Sequence, residues 1–122
     1  MRTPYIFLAF IALICAVACS YDQLPEPTVS DSCDTLQPTY NDGIEELLER
    51  TCAYEGCHIT GFSSGDFTSY SSTTPFIQSI ENRSLDRLDM PPNYAPEGKP
   101  KSLTEEEKEL LECWISNGFP EN

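Results

Sequence analysis

This 122-residue chain predicts a small, mostly α-helical domain with long loops, preceded by a signal peptide and a flexible tether. Three observations carry that prediction. Apolar residues recur at helical spacing near both ends of the region beyond the signal, no stretch alternates as a half-buried strand would, and a proline-broken run separates the helical segments. The division that follows is 1–18 for the signal peptide, 19–37 for a lipidated N-terminus and tether, and 38–122 for the folded domain.

In order along the chain, Arg2 precedes an apolar run from Tyr5 to Ala18 that fits an export signal and is short for a membrane span. The small residues Ala16-Val17-Ala18 before Cys19 resemble a bacterial lipobox, which implies lipidation of Cys19 once the signal is removed. From Ser20 to Gln37, Pro, Ser, Thr and Asp dominate and little can be buried, so the segment reads as a tether. A first helix is predicted over Tyr40–Thr51, with Ile44, Leu47 and Leu48 on one face, Asn41 or Asp42 as cap, and Glu45 and Glu46 in the first turn.

Residues 60–74 read as a loop with a short extended piece, whose Phe62, Phe67 and Tyr70 are available to wall a ligand. A short helix is predicted from Thr74, with Pro75 in its first turn and Phe76, Ile77 and Ile80 on one face. Prolines then exclude regular structure over Met90–Pro100. The last helix has the fullest signature: Thr104 and Glu107 form a capping box, Leu110, Leu111, Trp114 and Ile115 make a stripe, and Gly118 and Pro120 end it.

Acidic residues outnumber basic ones 20 to 7, which disfavours nucleic acid as a partner and favours a basic patch on a protein partner. Export places the remaining cysteines in an oxidising setting. Cys33, Cys52, Cys57 and Cys113 divide into the close pair Cys52/Cys57 and a Cys33–Cys113 disulfide joining the domain's ends, one of the three pairings that four cysteines allow.

Beyond the signal the chain has a single histidine, His58, directly after Cys57, and a single methionine, Met90. Two thiols ending in Cys-His can hold a haem through thioether bonds while the imidazole binds iron, and a distant methionine can supply the second axial ligand. Here four residues stand between the cysteines instead of the usual two, so the loop must bulge, and Gly56 eases that turn. Two other chemistries use the same residues: a Cys52–Cys57 disulfide beside a solvated His58, or a copper or zinc site formed with Met90. No Ser-His-Asp arrangement is available, and the paired carboxylates lie in a helix's first turn, so no enzymatic role is expected.

The order Tyr40…Ile44…Leu47-Leu48, Cys52…Cys57-His58, Met90-Pro91-Pro92 and Trp114-Ile115-Ser116-Asn117-Gly118-Phe119-Pro120 resembles the small mono-haem c-type cytochrome domains of bacterial lipoproteins, close to the planctomycete-type group. The resemblance implies a cytochrome c-like fold with first and last helices crossing, haem c attached by Cys52 and Cys57, and iron held by His58 and Met90. It further implies electron transfer by an exported, membrane-anchored protein facing the periplasm or cell surface. Trp114 is expected to fill the helix interface, and Arg83, Arg87, Lys99 and Lys101 are the candidates for neutralising haem propionates. The rival from another class is a haem-free, disulfide-stapled lipoprotein acting as an interaction or accessory module.

Overall fold

The computed structural model describes residues 31–122, so the expected signal peptide, the expected lipidation site Cys19 and most of the expected tether lie outside the described residues. Those residues are mostly helical, with no strand among them beyond a single bridge between Thr39 and Gly43. A 3₁₀ turn, Asp31–Asp34, precedes α1 (Ile44–Thr51). A longer helical run then changes pitch along its length: α2 (Tyr70–Thr73), a 3₁₀ turn (Thr74–Phe76), α3 (Ile77–Glu81) and a π-helical turn (Asn82–Asp86). The last element is α4 (Glu105–Ser116). No helix among the described residues is long and apolar enough to cross a membrane.

α1 and α4 pack together to form the core. Ile44, Leu47 and Leu48 from α1 meet Leu111 and Trp114 from α4, while Leu110 and Ile115 pack at the margin. Trp114 is fully buried, and its Nε1 donates to the carbonyl of Pro120 at 3.0 Å, so its one polar atom is satisfied inside the apolar contact. Arg50 pairs with Glu107 at 2.6 Å across the two helices. The predicted capping box is complete at Thr104, which accepts from the Glu107 amide while the Glu107 carboxylate accepts from the Thr104 amide.

Cys33 and Cys113 are disulfide-bonded across 80 positions of sequence, with 5.0 Å between their Cα atoms. Closing a loop of that length removes enough unfolded-chain entropy to contribute about 4 kcal/mol. Residues 31–37, which their composition placed with the tether, are thereby pinned to α4, and the Asn117 amide adds a bond to the Leu36 carbonyl.

Two helix starts differ from expectation. α1 begins at Ile44, with Gly43 at the cap position and no side-chain cap, and Asn41 and Asp42 lie ahead of it in a turn with hydrogen bonds of its own. The C-terminal tail takes Asn41: its backbone N–H donates to Glu121 and its side-chain amide to Asn122 at 2.6 Å, while the Asp42 N–H turns back to Thr39. The second helical run starts four residues earlier than Thr74, at Tyr70, because Ser69 caps it by accepting from the Ser72 amide. Pro75 sits in the 3₁₀ turn and marks a change of pitch rather than the helix start.

Candidate functional site: a thiol- and imidazole-lined cavity

Helix α1 ends by delivering Cys52 at its C-cap, and the chain to His58 folds into a closed turn. The Cys57 amide donates to the Tyr54 carbonyl at 2.9 Å, and the His58 amide to the Cys52 carbonyl at 3.1 Å. Four spacer residues are therefore absorbed as an outward bulge with Glu55 and Gly56 at its exposed tip, and Gly56 takes φ +85° there. The inner residue of the bulge is Tyr54. Its ring is buried and Lys99 sits 4.4 Å above the ring centre. Burial, and next the neighbouring Cys57 sulfur, push its hydroxyl up to about 12.

His58 is oriented from three sides by the loop that follows it. Its ring stacks on Phe67 with centres 4.1 Å apart and planes 7° from parallel, and Phe62 meets its edge. Its Nδ1 lies 3.3 Å from the Gly65 carbonyl. A carbonyl only accepts, so the proton belongs on Nδ1 and the lone pair on Nε2, the arrangement in which a histidine binds a metal. Burial lowers the imidazole's pKa, opposed by the Gly65 bond, and so favours the neutral form that ligation requires.

The loop closes because the Phe67 amide returns to the His58 carbonyl at 3.0 Å, and because Asp66 accepts from Thr60 Oγ1 and from both the amide and hydroxyl of Thr68. Gly65 is required at this point. A Cβ there would lie 2.8 Å from Phe67 and 3.2 Å from Phe76, at a φ of +117°.

Cys52, Tyr54, Cys57, His58, Phe62 and Phe67 line a cavity of about 520 Å³ together with Met90, Pro91 and Pro92. Cys52, Cys57, His58 and Met90, dispersed from the end of α1 to the proline-rich loop, are thus brought to a single space. All four remain partly exposed. Phe62, Phe67, Phe76 and Ile80 supply apolar walls. Of the expected aromatics only Tyr70 is elsewhere, packed edge-on against Tyr40 in the core with centres 5.6 Å apart.

Cys52 and Cys57 are both free thiols, so the disulfide alternative for this pair is not formed. Burial pushes the Cys52 thiol up, partly offset by the Thr51 hydroxyl 3.2 Å from its sulfur. No group of three or more His, Cys, Asp or Glu side chains among the described residues converges as metal ligands, which removes support from a zinc or copper site built on the two thiols and His58. The cavity thus gathers two thiols, one imidazole and one thioether among apolar walls.

Among the four basic candidates, Arg83 lines the cavity. Arg83 and Arg87 both pair with Asp89, Lys99 covers Tyr54, and Lys101 is exposed. The cavity members that sequence reasoning missed are Tyr54, Phe76 and the supporting Gly65. A Ser-Ser-Gly-Asp turn seven residues beyond His58 was the available signal for Gly65. Compared with known proteins, the chain matches no family, no curated protein and no solved structure.

Proposed function

We propose that this protein is an exported electron carrier holding one covalently attached haem c, with His58 and Met90 as axial ligands and Cys52 and Cys57 as attachment sites. The observation that carries the reading is that Met90, from a remote loop, meets the neighbouring residues Cys52, Cys57 and His58 in one largely apolar cavity. Haem supplies a one-electron iron couple when bound. The protein's own contributions are distinct. His58 presents Nε2 because Nδ1 is committed to Gly65, and the Phe67 stack restrains rotation of the ring. With haem bound, His58 and the Met90 thioether would be the residues that hold its iron, and a thioether in place of a second imidazole would favour the reduced state. The phenylalanines give the cavity apolar walls, and Arg83, whose Nε is held by Asp89, reaches its lining.

The remainder of the reading follows from sequence: Cys19 anchors the mature protein to a membrane through lipid, and the acidic surface meets a redox partner with a basic patch. Chain expressed with haem-maturation machinery should show a Soret band that survives denaturation and acid-acetone extraction, and an intact mass one haem above the polypeptide with its acyl chains. A colourless product retaining the Cys33–Cys113 bond and two free thiols would refute the carrier and favour the haem-free stapled module.

A further inference from the structure

Met90 emerges from a backbone reversal that has its own support. The π-helical turn Asn82–Asp86 ends with the Arg87 amide on the Asn82 carbonyl at 2.9 Å, and the chain then turns through Leu88 at φ +54°. A leucine in the left-handed region is disfavoured by its Cβ, and such conformations persist where surrounding contacts enforce them. The contacts here converge on two groups. The Arg83 carbonyl accepts both the Asp89 amide at 3.0 Å and the Met90 amide at 3.2 Å. The Asp89 carboxylate is shared between two arginines, its Oδ1 with Arg83 Nε and its Oδ2 with Arg87 at 2.9 Å.

We propose that Asp89 is a positioning residue for Met90: held by Arg83 and Arg87, it locks the Leu88 reversal and so keeps the Met90 sulfur inside the cavity. The role of that sulfur as an iron ligand rests on the function proposed above, whereas the clamp on the backbone does not. Asp89 and Arg87 stand at the outer side of the reversal, and Arg83 spans from the clamp to the cavity wall, so the clamp joins the helical run directly to the ligand loop. An ion pair isolated on a surface contributes little, but a carboxylate with both oxygens engaged by two guanidiniums beside a strained turn restrains the backbone as well as the charge.

The test uses the full mature protein as purified from haem-maturing cells, comparing Asp89→Ala and Asp89→Asn with Met90→Ala, and with Glu105→Gln, which breaks the remote Lys108–Glu105 pair. Two quantities are read: hydrogen exchange of the Met90 amide, and displacement of the sulfur-to-iron charge-transfer absorption by imidazole. Asp89→Ala should exchange the Met90 amide about tenfold faster and bind imidazole about tenfold more tightly, Asp89→Asn should fall between it and wild type, and Glu105→Gln should match wild type. Wild-type exchange in both Asp89 variants would overturn the clamp, as would wild-type exchange in Asp89→Asn if Asp89→Ala does not accumulate. An absorption spectrum unchanged in Met90→Ala would instead reject Met90 as the ligand, with the exchange measurement still deciding the clamp.

Discussion

Where α1 meets α4, Ile44, Leu48, Leu111 and Trp114 are at most 2 % exposed and the disulfide ties the first described turn to the last helix. Around the cavity, Cys52, Cys57, His58 and Met90 keep partial exposure, and their positions rest on individual hydrogen bonds, one ring stack and one ion-pair cluster. The first region is held by area removed from water, which is non-directional and tolerant of detail. The second is held by directional contacts, which determine where a lone pair or a sulfur points. The two regions adjoin: Phe67 and Ile80 line the cavity and also belong to the buried cluster that α1 and α4 build.

The strongest challenge to this division is removal of the Cys33–Cys113 bond. Replacing both cysteines by Ser should lower global stability by about 2–5 kcal/mol, read by thermal unfolding, while the folded fraction retains the haem spectrum that the proposed function requires. Loss of the spectrum well below the unfolding temperature would show that the two regions are one cooperative unit.

Gly65→Ala acts from the other side. Its Cβ would press on Phe67 and Phe76 at a backbone angle that disfavours any side chain, a cost of about 1–3 kcal/mol. Because Phe67 stacks on His58, the comparison predicts a disproportionate local result: on the proposed function, a lower fraction of haem-loaded chains by absorbance per unit protein, with α1–α4 packing unchanged in the tryptophan fluorescence of Trp114.

The smallest expected effect sharpens the comparison through pH. Hydrogen bonds from Thr68, then Thr60, hold the Asp66 carboxyl below its usual value. A depressed folded-state pKa stabilises the loop above the ordinary aspartate range, and that contribution is lost as pH falls through the lower folded value. Asp66→Asn should remove this acid step, so its difference from wild type in Thr68 amide exchange should shrink on acidification, with no change at the disulfide-linked side.

Much of the scaffold was legible because its signals are local. The capping box at Thr104, the stripe from Leu110 to Ile115 and the three glutamates at the start of α4 all concern residues within two turns of one another. The starts of the other helices were harder to read. Asn41 is a good cap by type, yet the tail residues Glu121 and Asn122, some 80 positions away, take its hydrogen bonds. Ser69 looked like one more loop serine until its hydroxyl met the Ser72 amide.

For the site, rarity singled out His58 and Met90, and the order Cys…Cys-His singled out Cys52 and Cys57 among the cysteines. What composition does not contain is direction. That the imidazole's proton belongs toward Gly65, that Tyr54 turns inward from the spacer, that Arg83 among four basic residues reaches the cavity, and that Asp89 is gripped twice all depend on where the backbone reverses at Gly65 and Leu88. Helical periodicity and capping are short-range and survive in the one-dimensional string; the aim of a side chain into a shared space is the sum of many long-range contacts, and only the folded chain decides it.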